Sequence, residues 1–199
     1  MTARRYVIAA VGVLGLTTAV PASMIDLSDL SSEAGVSPGL LNATMEFSIS
    51  GDTLTLTVTN NTADPDSFRM NELYFNAPDG VTLTFDGSPG WSMSTNVSAA
   101  GFGTFDFGLD GGQGQSQAQI FAADVVAFTF TITGGAPTMD DFVTFFSTIP
   151  PGNTPAIVAA KFVGGPSDAS AYGAAIPAPG VLALLGAAGL VSGRRRRRR

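Results

Sequence analysis

The sequence predicts an all-β fold, an antiparallel β-sandwich of jelly-roll-like type carrying one short helix. Three observations point there. Apolar and polar residues alternate with period two over several short runs, the pattern of strands with one buried face. Gly, Pro, Asn and Asp punctuate those runs at short intervals. No long helical periodicity occurs between residues 23 and 163. A β-solenoid is the other architecture built of short strands, but no repeat of fixed period is present. The roughly 150 residues between the chain ends suffice for one domain with its own core.

The elements follow in order. Residues 24–42 are a polar lead-in, with Pro38-Gly39 as a turn. Runs 44–50 and 53–59 alternate cleanly on either side of Gly51-Asp52. They predict a β-hairpin with Met45, Phe47, Ile49, Leu54, Leu56 and Val58 facing the core. A loop over 60–66 leads to a strand at 68–75, closed by the turn Ala77-Pro78-Asp79-Gly80. Val81, Leu83 and Phe85 face inward from the next strand. Residues 93–97 and 102–107 are two further strands, and 124–133 is the strongest strand signal. Thr138 then serves as a helix N-cap, with Asp140 and Asp141 in the first turn, where the helix dipole favours acid. The expected helix runs over 138–146, with Phe142, Phe145 and Phe146 on one face. Pro150-Pro151-Gly152 ends it. A last strand covers 156–163, and 164–176 is a small-residue linker.

The ends of the chain have a different character. Arg4 and Arg5 precede an apolar run over 6–16, and small residues including Val20 and Ala22 follow. This is the layout of a secretory signal peptide, a helix over 1–22 cut near Ala22. Arg4-Arg5 also fits a twin-Arg export pattern. At the other end, Pro177-Ala178-Pro179 leads into an apolar helix over 181–192, followed by Arg194, Arg195, Arg196, Arg197, Arg198 and Arg199. Residues 176–192 make about 25 Å of helix at 1.5 Å per residue, a thin span whose basic flank stays cytoplasmic. Both ends then lie inside, and the 23–163 domain lies outside.

These residues carry a resemblance. The tail over 177–199 resembles a PEP-CTERM sorting signal, in which Pro-Glu-Pro is followed by a short Leu-, Ala- and Gly-rich helix and then Arg. Pro177, Pro179, the helix and the six Arg match. Ala178 stands where the family usually has Glu. The resemblance covers about 24 of the 199 residues and concerns sorting alone. It implies export from a Gram-negative, exopolysaccharide-producing bacterium. The implied partners are the secretion translocon, signal peptidase and an exosortase-like membrane protease. The implied route is a transient inner-membrane anchor, then the cell surface or extracellular matrix. A plain tail anchor is the alternative.

Composition narrows the chemistry of the body. All sixteen acidic residues lie between Asp26 and Asp168, and only Arg69 and Lys161 are basic outside the two ends, a net charge of −14. Nucleic-acid binding needs Lys and Arg against phosphate, so no nucleic-acid partner is expected. The chain has no Cys and no His. Disulfides, thiolate chemistry and a Ser-His-Asp arrangement are therefore excluded, and no catalytic residues and no enzymatic activity are expected.

Four candidate chemistries remain. Asp64 and Asp66, and Asp106 and Asp110, place carboxylates beside Pro and Gly in expected loops, where calcium finds oxygen ligands. Solvated turn acids are the other reading, and no cofactor is otherwise expected. Glycoside hydrolysis needs two facing carboxylates, and no motif picks out a pair. Trp91, with Tyr74 and Tyr172, is a candidate sugar-stacking face that makes an extracellular polysaccharide a partner; a core plug under a loop is the other use of a lone Trp. Thr53, Thr55, Thr57 and Thr59, then Thr82 and Thr84, then Thr129, Thr131 and Thr133 form ladders resembling ice-binding surfaces, although Thr also suits the wet face of any strand.

Overall fold

The computed structural model describes residues 22–27, 29–30, 40–62, 68–112, 118–165 and 170–176. The signal segment before residue 22, Asp64 and Asp66, and the whole sorting tail lie outside the described residues. Eleven strands and one short helix fill the described chain: β1 (Ala22–Leu27), β2 (Asp29–Leu30), β3 (Ala43–Ser50), β4 (Thr53–Asn60), β5 (Arg69–Phe75), β6 (Thr82–Phe85), β7 (Ser92–Ala99), β8 (Gly103–Asp110), β9 (Val125–Thr133), α1 (Met139–Phe142), β10 (Val158–Val163) and β11 (Ala171–Ala175). They build a five-stranded sheet, β1-β3-β4-β9-β6, and a six-stranded sheet, β2-β11-β10-β5-β8-β7. Every pairing is antiparallel. The expected all-β class with two antiparallel sheets and one short helix is what the chain forms.

The β3–β4 hairpin shows why the alternating runs fold as they do. Gly51 sits at φ 60° as the first central residue of a two-residue turn, a backbone state glycine adopts without steric cost. That turn fixes the register Ser50↔Thr53 through Ala43↔Asn60. Met45, Phe47, Leu54, Leu56 and Val58 are fully buried as a result. They meet Leu73, Phe75 and Phe107 of the six-stranded sheet in one core. Phe75 joins the layers, with its ring 5.9 Å from Phe47 and 5.6 Å from Phe130.

Several expectations need correction. The polar lead-in holds β1, whose Ile25 packs on the core and whose Leu27 is buried, while Met24 faces solvent. An edge strand pairs on one side only, and its weak alternation hid it. The linker stretch 164–176 contains β11, inserted between β10 and β2. The helix is one turn long and ends at Phe142. Phe142 stacks on Phe47 at 5.7 Å, whereas Phe145 and Phe146 are exposed. Backbone pairing further along explains the early stop. Ser147 N–H donates to Ala156, and Thr148 exchanges hydrogen bonds with Thr104, so the chain must leave helical geometry by then. The cap itself forms: Thr138 N–H and its hydroxyl donate to Asp141 at 2.7 and 2.9 Å. These bonds hold the Asp141 carboxyl below its ordinary value, the backbone bond foremost.

Candidate functional site

The outer face of the six-stranded sheet carries the densest polar arrangement of side chains. Strand register builds it. Tyr172 pairs with Lys161, Lys161 with Glu72, Glu72 with Asp110, and Asp110 with Ser92. One row therefore crosses five adjacent strands from β11 to β7. The next row on the same face runs Ala174, Ala159, Tyr74, Gly108, Ser94. Tyr74, Ala159 and Ala174 form a second apolar cluster with Phe102 and Phe105, separate from the main core. This sheet thus buries apolar surface on both faces.

Two local irregularities shape the face. Lys161 pairs with Glu72 and Phe162 with Met70, leaving Asn71 as the extra residue of a β-bulge. A bulge bends its strand and re-aims side chains. Asn96 of β7 adopts φ 55°. Beyond it, Val97 packs over Gly108: a Cβ on Gly108 would lie 2.6 Å from Val97 Cγ2 and 3.5 Å from Tyr74 Cδ1. Glycine at 108 therefore lets the Val97 side chain settle directly over the β8 backbone, beside Tyr74. The result is a groove of about 230 Å³ lined by Glu72, Tyr74, Ser94, Val97, Ser98 and Asp110.

The groove's charges are partly paired. Lys161 Nζ lies 2.6 Å from Glu72 Oε1, with the two side chains 23% and 15% exposed. Tyr74 O–H donates to the other oxygen, Glu72 Oε2. Burial pushes the Tyr74 phenol far above its ordinary value, and the hydrogen bond to Glu72 adds to this, so it stays a neutral donor. Burial works against the Lys161 charge, yet the hydrogen bond and charge of Glu72, with smaller help from Tyr172 and Asp110, together offset it and hold the ammonium above its ordinary value. A raised value means that the pair's contribution is present below the ordinary Lys range and is lost as pH rises through the raised value. Asp110 Oδ1 accepts the Gly112 N–H at 2.7 Å. Asp110 itself is exposed and has no ion-pair partner among the described residues.

The candidates read from sequence are dispersed. Asp106 and Asp110, expected in a loop, both lie on β8. Asp106 accepts the Ala77 N–H at 3.1 Å, and its own N–H donates to Asn76 Oδ1 at 3.0 Å. It clamps backbone beside a second cleft of about 340 Å³ formed by residues 77–81, Thr95 and Asn96. Among the described residues no three acidic side chains gather to hold a metal. Tyr74 and Tyr172 do come together, at 6.1 Å between rings. Trp91 is elsewhere: it packs edge-on against Phe128 of the five-stranded sheet at 5.0 Å and leans on the main core. Trp91→Ala is therefore expected to lower stability by about 2 kcal/mol, less than a fully buried ring, and to leave retention on polysaccharide unchanged. Denaturation and affinity electrophoresis check this, and a stable variant with lost retention would contradict it.

The Thr ladders also meet. Thr53 pairs with Thr131 and Thr55 with Thr129, and Thr82 and Thr84 pair with Thr133 and Thr131, all on the outer face of the five-stranded sheet. The body's two cations are both engaged: Arg69 lies 5.8 Å from the Phe121 ring centroid, and Lys161 holds Glu72. Among the described residues no helix is long and apolar enough to cross a membrane.

Sequence reasoning picked out Tyr74 and Tyr172 but missed Glu72, Lys161 and the pairing of Asp110 with them. One signal was present: Lys161 is the only Lys in the chain and sits within a strand pattern. An interior cation in so acidic a body calls for a carboxylate partner. Set against known proteins, the chain matches no family model, no curated protein and no solved structure.

Proposed function

We propose that this is an exported, non-enzymatic cell-surface or extracellular-matrix protein, one acidic jelly-roll-like sandwich sorted through an exosortase-type C-terminal signal. The tail carries this reading: Pro177-Ala178-Pro179, a short apolar helix and six Arg in that order. The limits of the fold support it. Strand β11 ends at Ala175, two residues before Pro177. A cut at the Pro motif would fall outside the ladders, and a cut after Ala22 would remove only the first residue of β1, the partner of Ser48. A body of net charge −14 also resists sticking to anionic lipid and polymer on its way out.

Intact mass of the protein recovered from the cell surface tests the reading. The expected mass lacks the N-terminal signal and residues 181–199. A mass that retains 181–199 would replace the sorting signal with a permanent tail anchor.

A second reading, attachment to extracellular polysaccharide, is favoured by one observation. The six-stranded sheet brings Tyr74, Glu72 and Asp110 together around a groove the size of a small sugar, with the Tyr172 ring beside Tyr74 on the same face. Hydrolysis is less favoured. Both Glu72 oxygens accept hydrogen bonds, from Tyr74 and from Lys161, so neither is free to give a proton. Glycoside cleavage requires one of a carboxylate pair to give a proton to the leaving group.

A further inference from the structure

The groove on the six-stranded sheet has a charge asymmetry that selects among sugars. Both oxygens of Glu72 are engaged, one by Lys161 Nζ and one by the Tyr74 hydroxyl. Its negative charge is matched locally by the ammonium. Asp110, the cross-strand neighbour of Glu72, is not matched in this way. Its Oδ1 takes the Gly112 N–H, and the residue is exposed at the groove margin. Asp110 still feels the Lys161 charge, so two carboxylates share one ammonium and the groove carries one net negative charge, with Asp110 the carboxylate not in direct contact with it. Around Asp110 stand an apolar wall, Val97, the buried edge of Tyr74, and the hydroxyls of Ser94 and Ser98. Val97 sits directly over Gly108, which brings that wall close to the sheet.

Each part has a counterpart in one class of ligand. A pyranose ring carries an apolar C–H face and a rim of hydroxyls. A wall of Val97 and Tyr74 beside two serine hydroxyls matches that division. A cation on the ring matches Asp110, because a charge-assisted hydrogen bond is about twice as strong as a neutral one. An anionic sugar would meet repulsion from Asp110 and from a body of net charge −14. A lysine-rich peptide shares the ammonium but brings a flexible chain in place of the ring, and the groove offers no apolar pocket for alternate side chains.

We propose that this groove binds an amino-sugar unit of a cationic polysaccharide, with the ammonium on Asp110 and the ring against Val97 and Tyr74. The proposal rests on the polysaccharide-attachment reading and is independent of sorting: the mass test can fail while this binding stands, and the reverse.

The test uses the purified full chain in mild detergent at physiological ionic strength. Calorimetry measures binding of a tetramer of β-1,4-linked glucosamine, its fully N-acetylated counterpart, and tetralysine. The glucosamine tetramer is expected to bind at least about tenfold more tightly than either of the others, the scale of one charge-assisted hydrogen bond. Ser94→Phe fills the groove without changing charge and is expected to weaken binding by at least about tenfold. Ser98→Phe serves the same purpose should Ser94→Phe fail to fold. Asp79→Asn removes one charge at the second cleft and is expected to leave binding unchanged. Equal affinity for the N-acetylated tetramer overturns the role of Asp110. Equal affinity for tetralysine, or full binding by the filled variants, reduces the effect to diffuse attraction by an acidic surface and overturns the site.

Discussion

Phe75→Ala is expected to remove about 4 kcal/mol of stability, the range for deleting a buried Phe ring. Phe75 is fully buried, and its neighbours explain the size of the effect. Its ring lies 5.9 Å from Phe47 on β3, 5.6 Å from Phe130 on β9 and 5.5 Å from Phe107 on β8. The first two belong to the facing sheet and the third to its own. Deleting the ring opens a cavity bounded by both layers, and neither can close it without moving its strands. Native stabilities are about 5–15 kcal/mol, so this one change takes a large share. Urea denaturation measures it, with Phe145→Ala as the contrast. Phe145 is exposed, and its loss is expected to change stability by less than about 0.5 kcal/mol. A Phe75→Ala penalty below about 1 kcal/mol would mean that the two sheets do not share this core.

Ending the chain after residue 170 is expected to cost on the order of 5 kcal/mol, at about 1 kcal/mol per ladder hydrogen bond lost with additional loss of burial. Ending it after residue 176 is expected to cost nothing measurable. The difference is β11. It pairs with β10 along Val158↔Ala175 to Phe162↔Ala171, and with β2 on its other side. Ala171 and Ala174 are fully buried, and Gly173 sits so close to Phe162 that a Cβ there would lie 2.9 Å from the ring. Loss of these five residues therefore uncovers Phe162, leaves β2 without its partner and leaves β10 paired on one side only. Limited proteolysis and circular dichroism on the two truncated chains give the comparison. Identical denaturation midpoints would return residues 170–176 to the status of a linker.

How far the sequence alone reaches depends on how each element is buried. Strands β3, β4, β6 and β9 have one wet face and one dry face, so their alternation carries both element and orientation. Strand β11 escapes that rule. Ala171 and Ala175 contribute to the main core while Ala174 joins the second cluster, so both faces are buried and, Tyr172 apart, the residues are small. No alternation remains to be read. The three Phe residues after Thr138 fit a helical face, yet tertiary pairing at Ser147 and Thr148 overrides that pattern. The site was less legible still. Tyr172, Lys161, Glu72, Asp110 and Ser92 come from five separate strands and meet only through register. Period-two patterning says which face a residue occupies but not which residue stands opposite it. Trp91 drew attention as the chain's lone Trp, and its packing against Phe128 is the ordinary use of a large apolar ring.

The adjacency of β2 and β11 has a consequence for the timing of folding. One strand lies near the start of the described chain and the other at its end, and they are neighbours in the same sheet. A chain threaded through a membrane from its N-terminus delivers β2 early and must wait for β11 until residues 171–175 have emerged. Until then β10 has a vacant side, and the six-stranded layer stays open. Such a contact, distant in sequence, is made late in any ordered delivery. On the proposed export route the layer would close only once residues 171–175 had emerged, and the last strand would act as its latch.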